Sequence, residues 1–265
     1  MVESIFTRVV AFIFLFVLIY VFYYCNRFRF EFNYRFFVIF LPYLFFGLIL
    51  EKYIILFFEK LLITNFGLSV LISQIIGFCG SWLIILGLFY LGLILSDSFN
   101  RISYRKTGLF GFLIWLFFSS YIIFVNSYNS FNMNAVFYFL ILVFISLLVT
   151  FIVKSLAFKI LNYDLFSNKL NFFVSFGQIL DGFSTVAIIF LGFSSVHFFF
   201  ELNKNLLNII IWLLIKIIFS VIICFVFDMY KNQNINKKNF VGYSKSIIGW
   251  IGFLNVFKNL FLLLI

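Results

Sequence analysis

Apolar residues run along this chain in blocks too long for the alternation of a half-buried strand and too continuous for the stripe of a surface helix. The blocks lie at about 9–25, 36–52, 67–95, 108–125, 133–153, 171–200, 205–227 and 246–265, each bounded by charged or Asn/Ser-rich turns. A helix crosses a hydrocarbon core of about 30 Å with about 20 mostly apolar residues. The pattern therefore predicts an all-α fold, a polytopic transmembrane helix bundle of about eight spans (seven to nine), forming one integral membrane domain over residues 1–265. The stretch from Tyr53 to Thr64 carries Glu59 and Lys60 at its middle and reads as an interfacial segment or an extension of the second helix. The third and sixth blocks, each about 30 residues, are longer than the core is thick at a rise of about 1.5 Å per residue, so they must tilt, project or break. Gly192 is the candidate break in the sixth.

Composition agrees and removes other classes. The chain is 65% hydrophobic and 11% charged, with a mean hydropathy of +1.18, which excludes an ordinary water-soluble domain. One proline and 14 glycines exclude a proline-rich linker or a collagen-like repeat. The 47 phenylalanines read as a drift of codon usage towards A and T, because Phe facing lipid is nearly as favourable as Leu. They are not a base-stacking surface.

The net charge of +10 is explained by where the cations fall. The odd-numbered loops hold 13 Lys and Arg, among them Arg35, Lys154, Lys159, Lys169, Lys231, Lys237, Lys238 and Lys245, whereas the N-terminal segment and even loops hold 4. That alternation is the positive-inside bias, and it needs no nucleic acid. It predicts a multi-pass protein of the plasma (cell) membrane with both termini outside and membrane lipids as its surroundings. The first block lacks an A-x-A-like cleavage site and reads as a retained anchor. Cys25, Cys79 and Cys224 stand far apart with no C-x-x-C spacing and read as small buried hydrophobes.

Motifs for self-contained chemistry are missing: there is no G-x-x-x-x-G-K-[ST], H-E-x-x-H, G-x-S-x-G or G-x-G-x-x-G at a strand-to-helix junction. The informative residues are the polar ones inside apolar blocks, because a charge at a span centre costs about 2.5–3.5 kcal/mol on insertion scales. Asp181 lies near the centre of the sixth block, Lys216 near the centre of the seventh and Lys258 in the eighth, while His197 is the single histidine. Gln178, Asp181 and Thr185 share one helical stripe, as do Trp212, Lys216 and Ser220, and Asn255, Lys258 and Asn259. Burial disfavours each charge alone and proximity restores both, so Asp181 and Lys216 are expected to pair. Such a pair either holds two spans in register or marks a functional site.

These segments resemble a known family. The stretch QILDGFSTVAIIFLGFSSVH (Gln178 to His197), the following WLLIKIIFSVIICFVFD with Lys216, the late IGFLNVFKNLF and the early LPYLFFGLILE (Leu41 to Glu51) are similar to the archaeal integral membrane family called domain of unknown function 63. Its pattern runs H-x-x-D-x-x-x-T, then G-Y-Y-E-x-H, then a lysine in the next span and a G-x-x-P-G-x-R-N signature. Asp181, Thr185, Gly192, His197, Lys216, Gly252 and Asn259 match it. Gln178 replaces its first histidine, Ser195 its glutamate, Lys258 its arginine and Asn255-Val256 its Pro-Gly. The resemblance implies an archaeal membrane protein whose constellation would serve as metal ligands or acid/base groups. With two of the four members replaced, a divalent metal would rest on Asp181 and His197.

Three functions follow as expectations. The first is a membrane-embedded enzyme acting on a lipid or polyprenyl substrate, with Asp181, His197 and Thr185 catalytic and Gln178, Lys216, Lys258 and Asn259 binding the substrate. The second is a non-catalytic membrane scaffold or lipid-binding protein. The third is an ion- or proton-coupled transporter built on Asp181 and Lys216, which ranks below the enzyme because the two halves of the chain show no convincing repeat.

Overall fold

The computed structural model describes residues 17, 20–24, 31–58, 84–92, 104–126, 133–190, 206–231 and 235–264. Among the described residues the regular structure is helical and there is no strand. The long helices among the described residues are α1 (Tyr34–Phe58), α2 (Tyr104–Asn126), α3 (Met133–Leu161), α4 (Lys169–Phe190), α5 (Leu206–Lys231) and α6 (Ile235–Leu264). Among the described residues, three helical stretches are long and apolar enough to cross a membrane: Phe137–Leu161, Ile209–Tyr230 and Lys237–Phe257. Two further apolar stretches, Tyr34–Gly47 and Lys106–Phe117, are shorter. The helix α1 continues through Tyr53 to Phe58, so this part of the ambiguous stretch extends the second helix. Gly192, Cys25 and Cys79 lie outside the described residues.

The chain divides into two compact units, one of residues 1–31 and 38–121 and one of Phe32–Phe37 and residues 122–265. In the first unit, rings of Phe22, Phe40, Tyr43 and Phe89 pack edge to face and tilted, and the Tyr43 hydroxyl donates to the Thr107 carbonyl at 2.8 Å. Gly92 and Gly111 leave the room that the Tyr43 side chain occupies.

The second unit contains α3 to α6, and it encloses polar side chains beside an apolar core of Val153, Leu165, Val174 and Ile179. The helix α4 packs on α3, α5 and α6, most extensively on α6. It buries Asn171, Ser175, Gln178, Asp181, Ser184 and Thr185. The surrounding helices turn large apolar side chains outward, Phe137, Phe144, Leu148 and Phe151 on α3 and Ile211, Ile215, Ile218 and Ile222 on α5. An apolar outer face with polar groups paired inside is a stable arrangement where the surrounding solvent is lipid. The composition and this packing are compatible with a membrane protein.

Local chemistry sets where α4 begins. Asn162 ends α3 with a left-handed φ of 52°, a conformation Asn tolerates better than most residues. The Asp164 carboxylate accepts the Phe166 amide at 3.1 Å. Asn168 then caps α4: its side chain accepts the Leu170 amide at 3.1 Å and its carbonyl the Asn171 amide at 2.9 Å. The helices α4 and α6 lie close because their contact is made of glycines. A Cβ on Gly252 would stand 2.6 Å from the Gly177 carbonyl carbon and 2.7 Å from its oxygen. Small residues are how helices in lipid bring their backbones together.

Candidate functional site

One register holds the polar core. Going up α4, Asn171, Ser175 and Asp181 meet Asp228, Cys224 and Lys216 in descending order on α5, so these two helices are antiparallel. Going up α4 again, Asn171, Gln178, Asp181 and Ser184 meet Lys245, Ile248, Asn255 and Asn259 in ascending order on α6, so α4 and α6 run parallel.

The expected pair forms at the upper level. Lys216 Nζ donates to Asp181 Oδ2 at 2.7 Å and lies 3.3 Å from Gln178 Oε1. The Asn255 amide donates to the same Asp181 Oδ2 at 3.3 Å. Gln178 is itself anchored by donating Nε2 to the Ile248 carbonyl at 2.7 Å. Gly182 packs against α5, where a Cβ would press on Leu213 Cδ1 at 3.2 Å. The Lys216 ammonium also sits 5.2 Å from the centre of the Trp212 ring, within reach of a cation–π attraction. The Asp181 side chain is wholly buried while that of Lys216 is 16% exposed. Asp181 Oδ1 is buried and has no hydrogen-bond partner among the described residues.

One turn further on, Asn259 Nδ2 donates to Ser184 Oγ at 2.9 Å and approaches Thr185 Oγ1 at 3.4 Å. Of the predicted residues, Gln178, Asp181, Thr185, Lys216 and Asn259 are therefore brought into one cluster. His197 and the Lys258 side chain lie outside the described residues. Ser220 shares the Lys216 stripe, but its hydroxyl donates to the Ile217 carbonyl of its own helix at 2.7 Å. Among the described residues no group of three or more His, Cys, Asp or Glu stands close enough to hold a metal.

A second network, about ten residues down α4 and about 15 Å away at 1.5 Å per residue, escaped the sequence reading. Lys245 Nζ donates to Asp228 Oδ1 and to Asn171 Oδ1, both at 2.6 Å. Asn171 Nδ2 donates to Asp228 Oδ2 at 2.6 Å and to the Tyr163 hydroxyl at 2.9 Å. The Tyr163 hydroxyl donates to Asp228 Oδ2 at 2.5 Å. Burial pushes the Tyr163 phenol well above the usual tyrosine range, and the Asp228 hydrogen bond and charge push it further, so it is neutral and acts as a donor. Lys245 is fully buried, which corrects its assignment to a cytoplasmic loop. The helix α6 starts at Ile235, well before the apolar block. Without Lys245 the odd loops still carry 12 of the 19 cations, so the charge asymmetry stands. One sequence signal pointed this way: Lys216, Ser220, Cys224 and Asp228 recur every four residues and make one polar stripe along α5.

Cys224 is free and buried between the levels. Its sulfur is 3.9 Å from Ser175 Oγ and 4.0 Å from the Asn171 carbonyl, as the reading of a small buried hydrophobe expects.

Compared with family models, curated proteins and solved structures, the chain finds no match.

Proposed function

We propose that this chain is a multi-pass membrane enzyme that binds a lipid or polyprenyl substrate at the Asp181 cluster. The observation that carries the reading is the half-used carboxylate: Asp181 gives Oδ2 to Lys216 and Asn255 and keeps a buried Oδ1 with no partner among the described residues. A buried acceptor left open costs about 1–3 kcal/mol, more when charged. A donor such as a substrate hydroxyl would repay that cost and stand where a general base must be to receive its proton. Lys216, partly exposed beside it, would take a neighbouring anionic group. Thr185 is positioned by Asn259 and would orient the same substrate, with His197 and Lys258 completing the set. The archaeal setting and the relation to domain of unknown function 63 belong to the same proposal and rest on the four segments that resemble that family. The cell membrane and the outward termini rest on the charge asymmetry. Labelling of a cysteine placed at position 235 from outside intact cells would overturn the orientation.

The Asp181→Asn variant tests the activity. It keeps the side-chain shape and removes the base, so cells that depend on the protein should change their lipid composition when it replaces the natural chain. An unchanged lipid profile with full complementation would overturn the enzyme reading.

A second reading, an ion- or proton-coupled transporter, is favoured by the Lys216–Asp181 pair itself, which joins three helices at membrane depth. Coupled flux in liposomes that Asp181→Asn abolishes would select it. A scaffold or lipid-binding role is what remains if neither lipid chemistry nor flux responds.

A further inference from the structure

At the other end of the second unit, two cations converge on one tyrosine. Lys169, the first residue of α4, holds Nζ 5.1 Å from the centre of the Tyr34 ring. The Arg35 guanidinium carbon lies 5.9 Å from the same centre, and its Nε donates to the Tyr34 hydroxyl at 3.3 Å. Both cations are exposed. Their combined effect is visible on the phenol: the Arg35 hydrogen bond, then the charges of Arg35 and Lys169, hold Tyr34 below the usual tyrosine range. Two helices also begin here. Asn33 caps α1 by accepting the Arg35 amide at 2.9 Å and the Phe36 amide at 3.3 Å, and Asn168 caps α4. Each helix start adds a partial positive charge of its own.

The residues just beyond the two cations set the depth of this cluster. Apolar sequence begins at Phe36 immediately after Arg35, and at Leu170 after Lys169 apart from Asn171. The cations therefore stand at the edge of the apolar zone, where lipid head groups lie. Below Lys169, at three, four and seven residues along the same face of α4, come the half-buried rings of Phe172, Phe173 and Phe176. Phe172 and Phe176 stack at 5.8 Å with an interplanar angle of 7°, and Phe173 meets Phe37 at 5.1 Å. A positively charged head position over an apolar aromatic stripe is complementary to one class of ligand.

We propose that Arg35, Tyr34 and Lys169 form a binding site for the anionic phosphate head group of a membrane phospholipid, with an acyl chain lying along Phe172 and Phe176. The Arg35 guanidinium and the Lys169 ammonium would share the charge of the phosphate, and the Tyr34 hydroxyl would donate to it. The site is separate from the Asp181 cluster and stands whether or not that cluster is catalytic.

The test is native mass spectrometry of the full-length protein offered phosphatidylglycerol and phosphatidylcholine with identical acyl chains, and inorganic phosphate in a separate arm. The natural protein should retain phosphatidylglycerol in preference to phosphatidylcholine. The double variant Arg35→Gln with Lys169→Gln should lower that preference on the order of tenfold, as expected for two basic residues at a membrane surface. Lys159→Gln, which removes an exposed cation at the end of α3, should leave it unchanged, and Arg35→Lys should restore part of it. Because both residues are exposed, all variants should melt at the natural temperature. Equal retention of both lipids, loss of the preference in Lys159→Gln, or full retention in the double variant would each overturn the site. Binding of inorganic phosphate without a lipid preference would overturn its assignment to phospholipid.

Discussion

At the level of Asn171, helices α4, α5 and α6 contribute an amide, a carboxylate and a lysine, whereas at the level of Asp181 they contribute a carboxylate, a lysine and an amide. The same three chemistries are dealt to the same three helices in a different order. The outcomes diverge. In the lower network both Asp228 oxygens, both ends of the Asn171 amide and the Lys245 ammonium are engaged, and the Tyr163 hydroxyl both donates and accepts. In the upper one, Asp181 Oδ1 is left over; each level keeps one partly exposed charge, Lys216 at 16% and Asp228 at 17%, so the open oxygen is the difference. A closed network has nothing to offer a ligand, and its value lies in fixing helix register. An open one retains a cost that another molecule can relieve. The lower network is the lock and the upper one the site.

If that division holds, the two levels should answer substitution differently. The largest effect should come from Lys245→Met, which fills the space but strands the buried Asn171 carbonyl oxygen and takes the cation from Asp228, whose side chain is 17% exposed. Removing one partner of a fully buried pair costs about 3–5 kcal/mol; with Asp228 partly exposed the loss should be about 3 kcal/mol, read as a loss of unfolding free energy in detergent micelles. A melting profile equal to that of the natural protein would mean that the lower network locks nothing.

Gly252→Ala should come next. Its new Cβ would meet the Gly177 backbone, which has no rotamer to retreat into, so α6 must move away from α4 and loosen both levels at once. Overpacking of this kind costs about 1–3 kcal/mol. Gly87→Ala, inside a helix where a Cβ would meet nothing within 4 Å, is the control and should not destabilise, gaining up to about 1 kcal/mol of helix propensity. Equal behaviour of the two alanines would show that the glycine contact does not set the helix spacing.

How much of this was legible in the sequence depended on whether a residue stood against its local background. Asp181 and Lys216 stood out because a charge inside an apolar block is expensive, and Asn255 and Asn259 because their spacing repeats along one helix face. Lys245 and Asp228 stand at the ends of apolar blocks, where a loop residue costs nothing, so the block pattern gave no reason to bury Lys245 and only the four-residue stripe on α5 linked Asp228 to Lys216. The tetrad also depends on Asn171 lying opposite Lys245, 74 residues away. That parallel register of α4 on α6 is fixed by Gly177 and Gly252 and by no local periodicity. Apolar runs likewise mark where helices lie but not which side faces lipid: α4 is the most enclosed helix and α3 turns Phe137, Phe144 and Phe151 outward, although both read as apolar blocks.

Asp181→Asn should have the smallest effect on stability and the largest on function, and the comparison turns on that combination. Asparagine keeps an oxygen where Lys216 donates and still accepts from Asn255, so the contacts of Oδ2 survive in neutral form. The lost charge leaves Lys216 unbalanced, but its exposed edge lets it lean towards solvent, as long cationic side chains do. Its new NH2 can turn to where Oδ1 had no partner. The net cost should be about 1 kcal/mol, the scale of polar contacts between helices in lipid, and well below that of Lys245→Met. If Asp181→Asn unfolds the protein as severely as Lys245→Met does, the upper level is a second lock and its open oxygen has no functional meaning. If it melts near the natural protein and abolishes activity, the open carboxylate is what the second unit is built to present.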